Sequence, residues 1–87
     1  ELITEYERYM ISQHIPDVLE CGYFISATFS RNGNRYRIRY EAASQDLLDK
    51  YSEMEAPGLR NDFAAHFPNG IELTRENWEV VATLFPQ

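Results

Sequence analysis

Few residues of this chain have the type and spacing that catalysis requires. His14 is the first candidate, because it falls on the side of the first predicted helix that carries Met10, and an imidazole with a pKa of about 6.5 exchanges protons near neutral pH. The alternative is a helix-terminal histidine that bonds free carbonyl groups. His66 has no spacing to His14 that indicates a shared site. His14 is therefore the candidate catalytic residue, with its structural alternative left open.

Tyrosines and one arginine supply the candidates for ligand binding. Six tyrosines are many for a small core, and each buried hydroxyl needs a hydrogen-bond partner. A polar pocket formed by Tyr36 and Tyr40, with His14 and Arg60 at its edge, would suit a small aromatic or anionic ligand. The alternatives are ordinary amphipathic core tyrosines and an arginine that braces the helix break beside it.

The sequence predicts no metal site and no cofactor. A metal site needs three or four convergent ligands, and acidic pairs such as Asp46 and Asp49 lie on polar helix faces. Cys21 precedes Gly22 at the C-terminal end of a helix, where the helix dipole opposes thiolate formation. A single cysteine excludes an intrachain disulfide and favours a reducing, cytoplasmic location.

Length and charge limit the classes of partner. The 87 residues predict a single domain, residues 1–87, and a domain this small buries little of its surface, which makes oligomerisation an expectation. A net charge of -6 argues against nucleic acid or an anionic membrane as the partner, since both attract basic proteins. No apolar run approaches the ~20 residues that span a bilayer.

The elements that must position these residues begin with a helix. Apolar residues recur at helical spacing at Ile3, Tyr6 and Met10. Pro16 is expected to break this helix near His14 and to open a short second segment, because the residue before a proline avoids the helical region. Gly22 is expected to end that segment in a left-handed conformation.

A β-hairpin is predicted next. Residues 23–30 alternate with a period of two, so the side chains of Phe24 and Ile25 are expected on opposite faces of one strand. Asn32-Gly33-Asn34 predicts the hairpin turn. In the return strand, residues 35–42, the tyrosines share one face and the arginines share the other.

The second half predicts two helical stretches and a strand. Ser44 is expected to cap a helix whose buried stripe contains Leu47, Leu48, Tyr51 and Met54. Ala56-Pro57-Gly58 is expected to interrupt it before a further helical stretch, residues 59–67. Residues 78–85 alternate and predict a final strand.

This order of elements predicts an α+β fold. Helix, strand, strand, helix, strand is the ferredoxin-like pattern without its first strand, a two-layer sandwich in which two helices cover one face of an antiparallel sheet. The first strand of that topology is central in the sheet. We therefore expect either additional N-terminal residues or another chain to fill its place.

Three sequence blocks carry a family resemblance. They are His14-Ile15-Pro16-x-Val18-Leu19-x-x-Gly22-x-Phe24, Tyr36-x-x-x-Tyr40-x-Ala42 and Ala56-Pro57-x-Leu59-Arg60. In this order the blocks resemble an uncharacterised bacterial family, domain of unknown function family 4286, across nearly the whole chain. The resemblance implies a ferredoxin-like protein of the dimeric α/β-barrel type, with a short strand before the first helix. It implies no activity.

The arginine-bearing face of the hairpin is the candidate dimer interface. Arg37 and Arg39 would pair there with acidic groups of a second copy, while Phe24, Val81 and Phe85 supply apolar contacts. RNA binding is disfavoured because the tyrosines point to the opposite face. We therefore predict a small, cytoplasmic, non-catalytic domain that homodimerises and binds a small-molecule ligand or a partner.

The alternative is a cofactor-independent enzyme of the dimeric α/β-barrel type. Its pocket would desolvate an activated substrate while His14 moves a proton. Tyr36, Tyr40 or Arg60 would orient that substrate. This alternative rests on fold analogy, which does not establish activity.

Overall fold

A computed structural model gives the structure of this protein and describes residues 2–87. The chain begins with a helical region in three parts: α1 (Leu2–Tyr9), a π-helical turn (Met10–His14) and α2 (Ile15–Glu20). The expected break at Pro16 is wrong, whereas the expected short second segment is confirmed as α2, with Pro16 in its first turn. The backbone N–H of Ile15 donates to the carbonyl of Met10, five residues back, and this wider turn carries the helix into Pro16 without an interruption.

The sheet of the described residues is one antiparallel hairpin, β1 (Phe24–Asn32) and β2 (Arg35–Ala42). Gly22 separates α2 from β1 with a φ of 86°, which confirms the predicted left-handed stop. Gly33 has a φ of 64° at the first position of the two-residue turn, where the absence of a Cβ removes the steric cost.

A β-bulge changes which residues of β1 face the helices. Phe24 pairs with Ala42, but the next pair is Ser26 with Glu41, so Ile25 is an additional residue without a partner across the ladder. Phe24 therefore lies on the inner face, against the rings of Tyr40 and Tyr51, and Ile25 is 66% exposed. The regular alternation expected for this strand is wrong at its start for this reason.

Two helices follow the hairpin, α3 (Gln45–Met54) and α4 (Ala56–His66). The predicted cap of α3 is confirmed, since the Ser44 hydroxyl accepts the backbone N–H of Leu47 at 3.2 Å. Met54 is 70% exposed, so it lies outside the half-buried stripe of α3. The start of α4 precedes the expected one, because Pro57 occupies its first turn, where the missing N–H has no intrahelical acceptor.

The core lies between the inner face of the hairpin and helices α1 and α4. Tyr6 is at its centre, with ring centroids 4.9 Å from Tyr36 and 6.0 Å from Phe29 on the sheet, and 6.2 Å from Phe63 on α4. The buried cluster consists of Tyr6, Tyr9, Met10, Phe63 and Phe67. The predicted division of the hairpin is thus confirmed for β2, whose tyrosines face the helices and whose arginines are exposed.

Residues 71–87 form no helix or strand. The expected final strand, residues 78–85, is therefore wrong for the single chain, because a strand needs a hydrogen-bonded neighbour and this segment pairs with neither edge of the hairpin. Residues 2–87 form a mixed α+β fold with a two-stranded sheet, and the full sheet of a ferredoxin-like sandwich stays a prediction. No helix in this part of the chain has the length and apolar character needed to cross a membrane.

Candidate functional site

The outer face of the hairpin carries a row of arginines, which we call the arginine face. Arg35, Arg37 and Arg39 of β2 lie opposite Asn32, Ser30 and Thr28 of β1. Residues at alternate strand positions are ~6–7 Å apart, so the three guanidinium groups follow one line along the face. All three arginines are exposed, as the sequence predicts.

Two of these arginines lack a carboxylate partner within residues 2–87. Arg39 donates to Glu41 at 3.2 Å on the same face, whereas Arg35 and Arg37 have no ion pair with any residue that the structure describes. Four of the eight basic residues of the chain lie in this hairpin, in a protein with a net charge of -6. The arginine face is therefore a local positive region on an acidic molecule.

An open cleft of about 380 Å³ adjoins the arginine face at the turn end of the hairpin. Its lining residues are Ser30, Arg31, Asn32, Arg35, Tyr36 and Arg37. Glu7 of α1 braces this end, because its carboxylate accepts from Arg31 at 2.8 Å and from the Tyr36 hydroxyl at 2.5 Å. These hydrogen bonds, from Tyr36 above all, lower the pKa of the Glu7 carboxyl. Glu7 therefore stays charged and forms an ion pair with Arg31.

Tyr40 lies further along β2, away from the cleft. Its ring is 5.1 Å from Phe24, and its hydroxyl is buried without a hydrogen-bond partner among residues 2–87. Burial raises the pKa of this phenol well above its ordinary value, so the hydroxyl is a proton donor without an acceptor.

His14 lies among aromatic rings on the helical side. Its ring centroid is 6.0 Å from that of Tyr9 and 5.6 Å from that of Phe63, and its Nδ1 atom is buried without a partner in the described part of the chain. Burial lowers the pKa of His14, and Asp17 and Asp62 partly oppose this effect. His14 is thus held neutral near pH 7.

The structure does not bring the predicted pocket together. Of the four candidate ligand-binding residues, only Tyr36 lines the cleft beside the arginine face, and Arg60 is exposed on α4. A second open cleft, of about 300 Å³, is lined by Asp17, Glu20, Cys21 and Leu59. Neither of these clefts is lined by His14 or Tyr40.

Cys21 is an unreactive thiol in this second cleft. Its Sγ lies 3.4 Å from the Asp17 carbonyl and 3.7 Å from a Glu55 carboxylate oxygen. Burial and the charge of Glu55 raise the pKa of the thiol, so it remains protonated and is a poor nucleophile. Within residues 2–87, no three His, Cys, Asp or Glu side chains converge on a position that would hold a metal ion.

The candidate interface residues fall on three parts of the molecule. Arg37 and Arg39 lie on the arginine face, and Phe24 lies on the opposite, inner face because of the bulge. Val81 and Phe85 belong to the extended C-terminal residues, where they are 93% and 80% exposed. Sequence reasoning missed the Glu7 bridge to the hairpin, although Glu7 directly follows the buried Tyr6 and so borders the packed side of α1.

Comparison with known proteins gives one match. A family model with the description "Domain of unknown function (DUF4286)" matches residues 1–81. No curated protein and no solved structure matches the chain.

Proposed function

This chain belongs to the family Domain of unknown function (DUF4286), and we propose that it is a homodimerising module that binds acidic partner groups through its arginine face. The observation that supports this proposal is the pair Arg35 and Arg37, two exposed guanidinium groups without carboxylate partners in residues 2–87. A guanidinium group forms strong, directional hydrogen bonds with carboxylates, which makes an unpaired row of arginines suited to acidic side chains.

A second copy of the chain supplies the matching charge. The protein has 14 acidic against 8 basic residues, and its exposed helix α3 carries Asp46, Asp49 and Glu53. In a two-fold symmetric dimer each copy presents the same surface, so the basic hairpin of one copy and an acidic surface of the other form two equivalent contacts. Opposite charges of this kind set orientation and association rate, and salt screens them.

Apolar contacts would add to this attraction. Val81 and Phe85 are exposed in the single chain, and the removal of apolar surface from water contributes roughly 25 cal/mol per Å². Aromatic residues such as Phe85 bury large areas and dominate interface energetics. We accordingly assign these two residues to the interface, together with Arg37 and Arg39.

The test is the molar mass in solution. We expect a dimer by light scattering at low salt and a dissociation constant that increases with salt concentration. Arg37→Glu should weaken the dimer by about tenfold or more, since it places a carboxylate where the partner presents carboxylates. Arg8→Glu is the matched control: it makes the same substitution at an exposed position of α1, away from the proposed contacts, and it should leave the dimer unchanged.

A protein that stays monomeric at high concentration and low salt would refute the proposal. Equal weakening by Arg37→Glu and Arg8→Glu would also refute it, because the effect would then follow net charge and not the arginine face. We do not extend the proposal to catalysis, since neither described cleft is lined by His14. A cytoplasmic location is part of the proposal and is supported by the free thiol of Cys21.

A further inference from the structure

The most unusual surface of the molecule is a run of exposed apolar residues that we call the C-terminal segment, residues 78–85. Its large exposed side chains are Trp78, Val80, Val81, Leu84 and Phe85, and Trp78 is 81% exposed. Soluble proteins seldom leave contiguous large apolar side chains in water, and such a run marks a contact with something else. The alternation and the β-branched and aromatic content of the segment are typical of a strand.

The hairpin has an unpaired strand edge on the side of β2 that faces away from β1. The sheet has the order β1-β2, so only one edge of β2 is paired within residues 2–87. Asn32 and Arg35 flank a two-residue turn, and in such a turn these two residues form a hydrogen-bonded pair. From there, non-hydrogen-bonded and hydrogen-bonded pairs alternate along the two strands. The backbone N–H groups of Tyr36, Ile38 and Tyr40 therefore point towards the free edge, where an additional strand would bond them.

We infer that the C-terminal segment of one copy adds as an antiparallel strand to the free edge of β2 in a second copy. This inference rests on the proposed homodimer and specifies how it is built. Each isolated chain has one unpaired segment and one unpaired β2 edge. If two copies exchange their C-terminal segments about a two-fold axis, both segments and both β2 edges become paired. Two-fold symmetry is the commonest symmetry of homodimers and leaves no interface open.

The two faces of the segment match the two faces of β2. Glu79, Val81, Thr83 and Phe85 fall on one face, and the wholly apolar set Trp78, Val80, Ala82 and Leu84 falls on the other. With Glu79 on the side of Arg37 and Arg39, the apolar face lies beside Tyr36, Ile38 and Tyr40, which are only half-buried in the single chain. The opposite orientation would bury the Glu79 carboxylate without a partner, at a cost of several kcal/mol.

The lengths also match. The segment and β2 each contain eight residues, and Pro86, which has no N–H to donate, follows the segment. Addition of the segment would cover Trp78 on the inner face, and an aromatic residue of this kind buries about 150–250 Å². In strand addition the backbone hydrogen bonds supply affinity, and the side chains at alternate positions supply specificity.

Amide hydrogen exchange tests the strand addition directly. In the full 87-residue protein at dimer-forming concentration, we expect slow exchange for the amides of Tyr36, Ile38 and Tyr40. Arg37 and Arg39 are the internal reference, because their N–H groups already bond to β1. Slow exchange of the three free-edge amides should disappear when the protein is diluted to monomer.

Two proline variants at neighbouring positions supply the matched control. In the antiparallel pairing that places Glu79 on the side of Arg37 and Arg39, the N–H of Ala82 points towards β2 and that of Thr83 points away. Ala82→Pro should therefore abolish the slow exchange and weaken the dimer by at least about tenfold, while Thr83→Pro should leave both nearly unchanged. Both residues are exposed and outside the core, so neither variant should prevent folding.

Mixing differently labelled copies separates exchange between chains from pairing within a chain. In a sample of one ¹⁵N-labelled and one ¹³C-labelled population, we expect nuclear Overhauser contacts between β2 of one label and residues 78–85 of the other. Contacts confined to one label, or equal effects of the two proline variants, would overturn the inference. A dimer without slow exchange at the three amides would also overturn it but would leave the homodimer proposal standing, whereas a monomer refutes both.

Discussion

At the scale of single residues, the helical side of the molecule holds a histidine in an environment that opposes its charge. Burial beside Tyr9 and Phe63 lowers the pKa of His14 in the folded protein, despite the nearby carboxylates of Asp17 and Asp62. In the unfolded chain this pKa is about 6.5. The unfolded state therefore binds the proton first as the pH decreases, and acid destabilises the fold.

The stability of the protein should consequently depend on pH through His14. We expect the free energy of unfolding to decrease as the pH falls below about 6.5, and this contribution to level off below the folded pKa. In urea denaturation at several pH values between 7.5 and 5, His14→Gln should lose less stability than the unsubstituted protein. Parallel pH profiles for the two proteins would show that His14 is not held neutral by burial.

At the scale of elements, two glycines have room for a side chain but differ in backbone conformation. Gly22 ends α2 with a φ of 86°, whereas Gly58 has an ordinary helical conformation in α4, and a Cβ added at either position meets no atom within 4 Å. The difference between an alanine at the two positions is therefore one of backbone energy alone.

Alanine at these two glycines should change stability in opposite directions. Gly22→Ala should destabilise the protein by roughly 1–2 kcal/mol, because an L-residue is strained at a positive φ. Gly58→Ala should stabilise it by roughly 0.5–1 kcal/mol, because alanine restricts the unfolded chain and favours the helix. Chemical denaturation of both variants measures the two effects, and a change of the same sign in both would contradict the assignment.

The elements show where sequence reasoning succeeds and where it fails. The Gly22 stop, the Gly33 turn and the Ser44 cap are predictable because each depends on a few neighbouring residues. The bulge at Ile25 and the continuous helix at Pro16 are not, because a period-two pattern carries no signal for an additional residue and a π-helical turn absorbs the proline.

The candidate site follows the same division. The exposure of Arg37 and Arg39 is predictable from alternation, since the apolar Ile38 between them faces the helices, as the flanking tyrosines do. The shared pocket of His14 and Tyr40 is not, because it required a distance between the π-helical turn and β2 that no spacing in the sequence specifies. A tertiary arrangement of packed rings separates those two side chains from both clefts.

At the scale of the whole molecule, the single chain has a small core for its length. Only seven hydrophobic residues of the described chain are buried, while the C-terminal segment leaves several large apolar side chains in water. A domain of this size is marginally stable alone, and burial against a second copy is the usual remedy. If the segment pairs in the dimer, folding and association are linked by mass action.

The thermal midpoint should therefore depend on protein concentration. A tenfold increase corresponds to about 1.4 kcal/mol per dimer, which for a domain of this size raises the midpoint by roughly 3–6 °C. Differential scanning calorimetry over two decades of concentration measures this shift. Ala82→Pro should lower the midpoint and shift its concentration dependence to concentrations at least about tenfold higher, and Thr83→Pro should leave both nearly unchanged. A midpoint that is constant for the unsubstituted protein would mean that the single chain holds all of its stability and that the exposed segment contributes nothing to it.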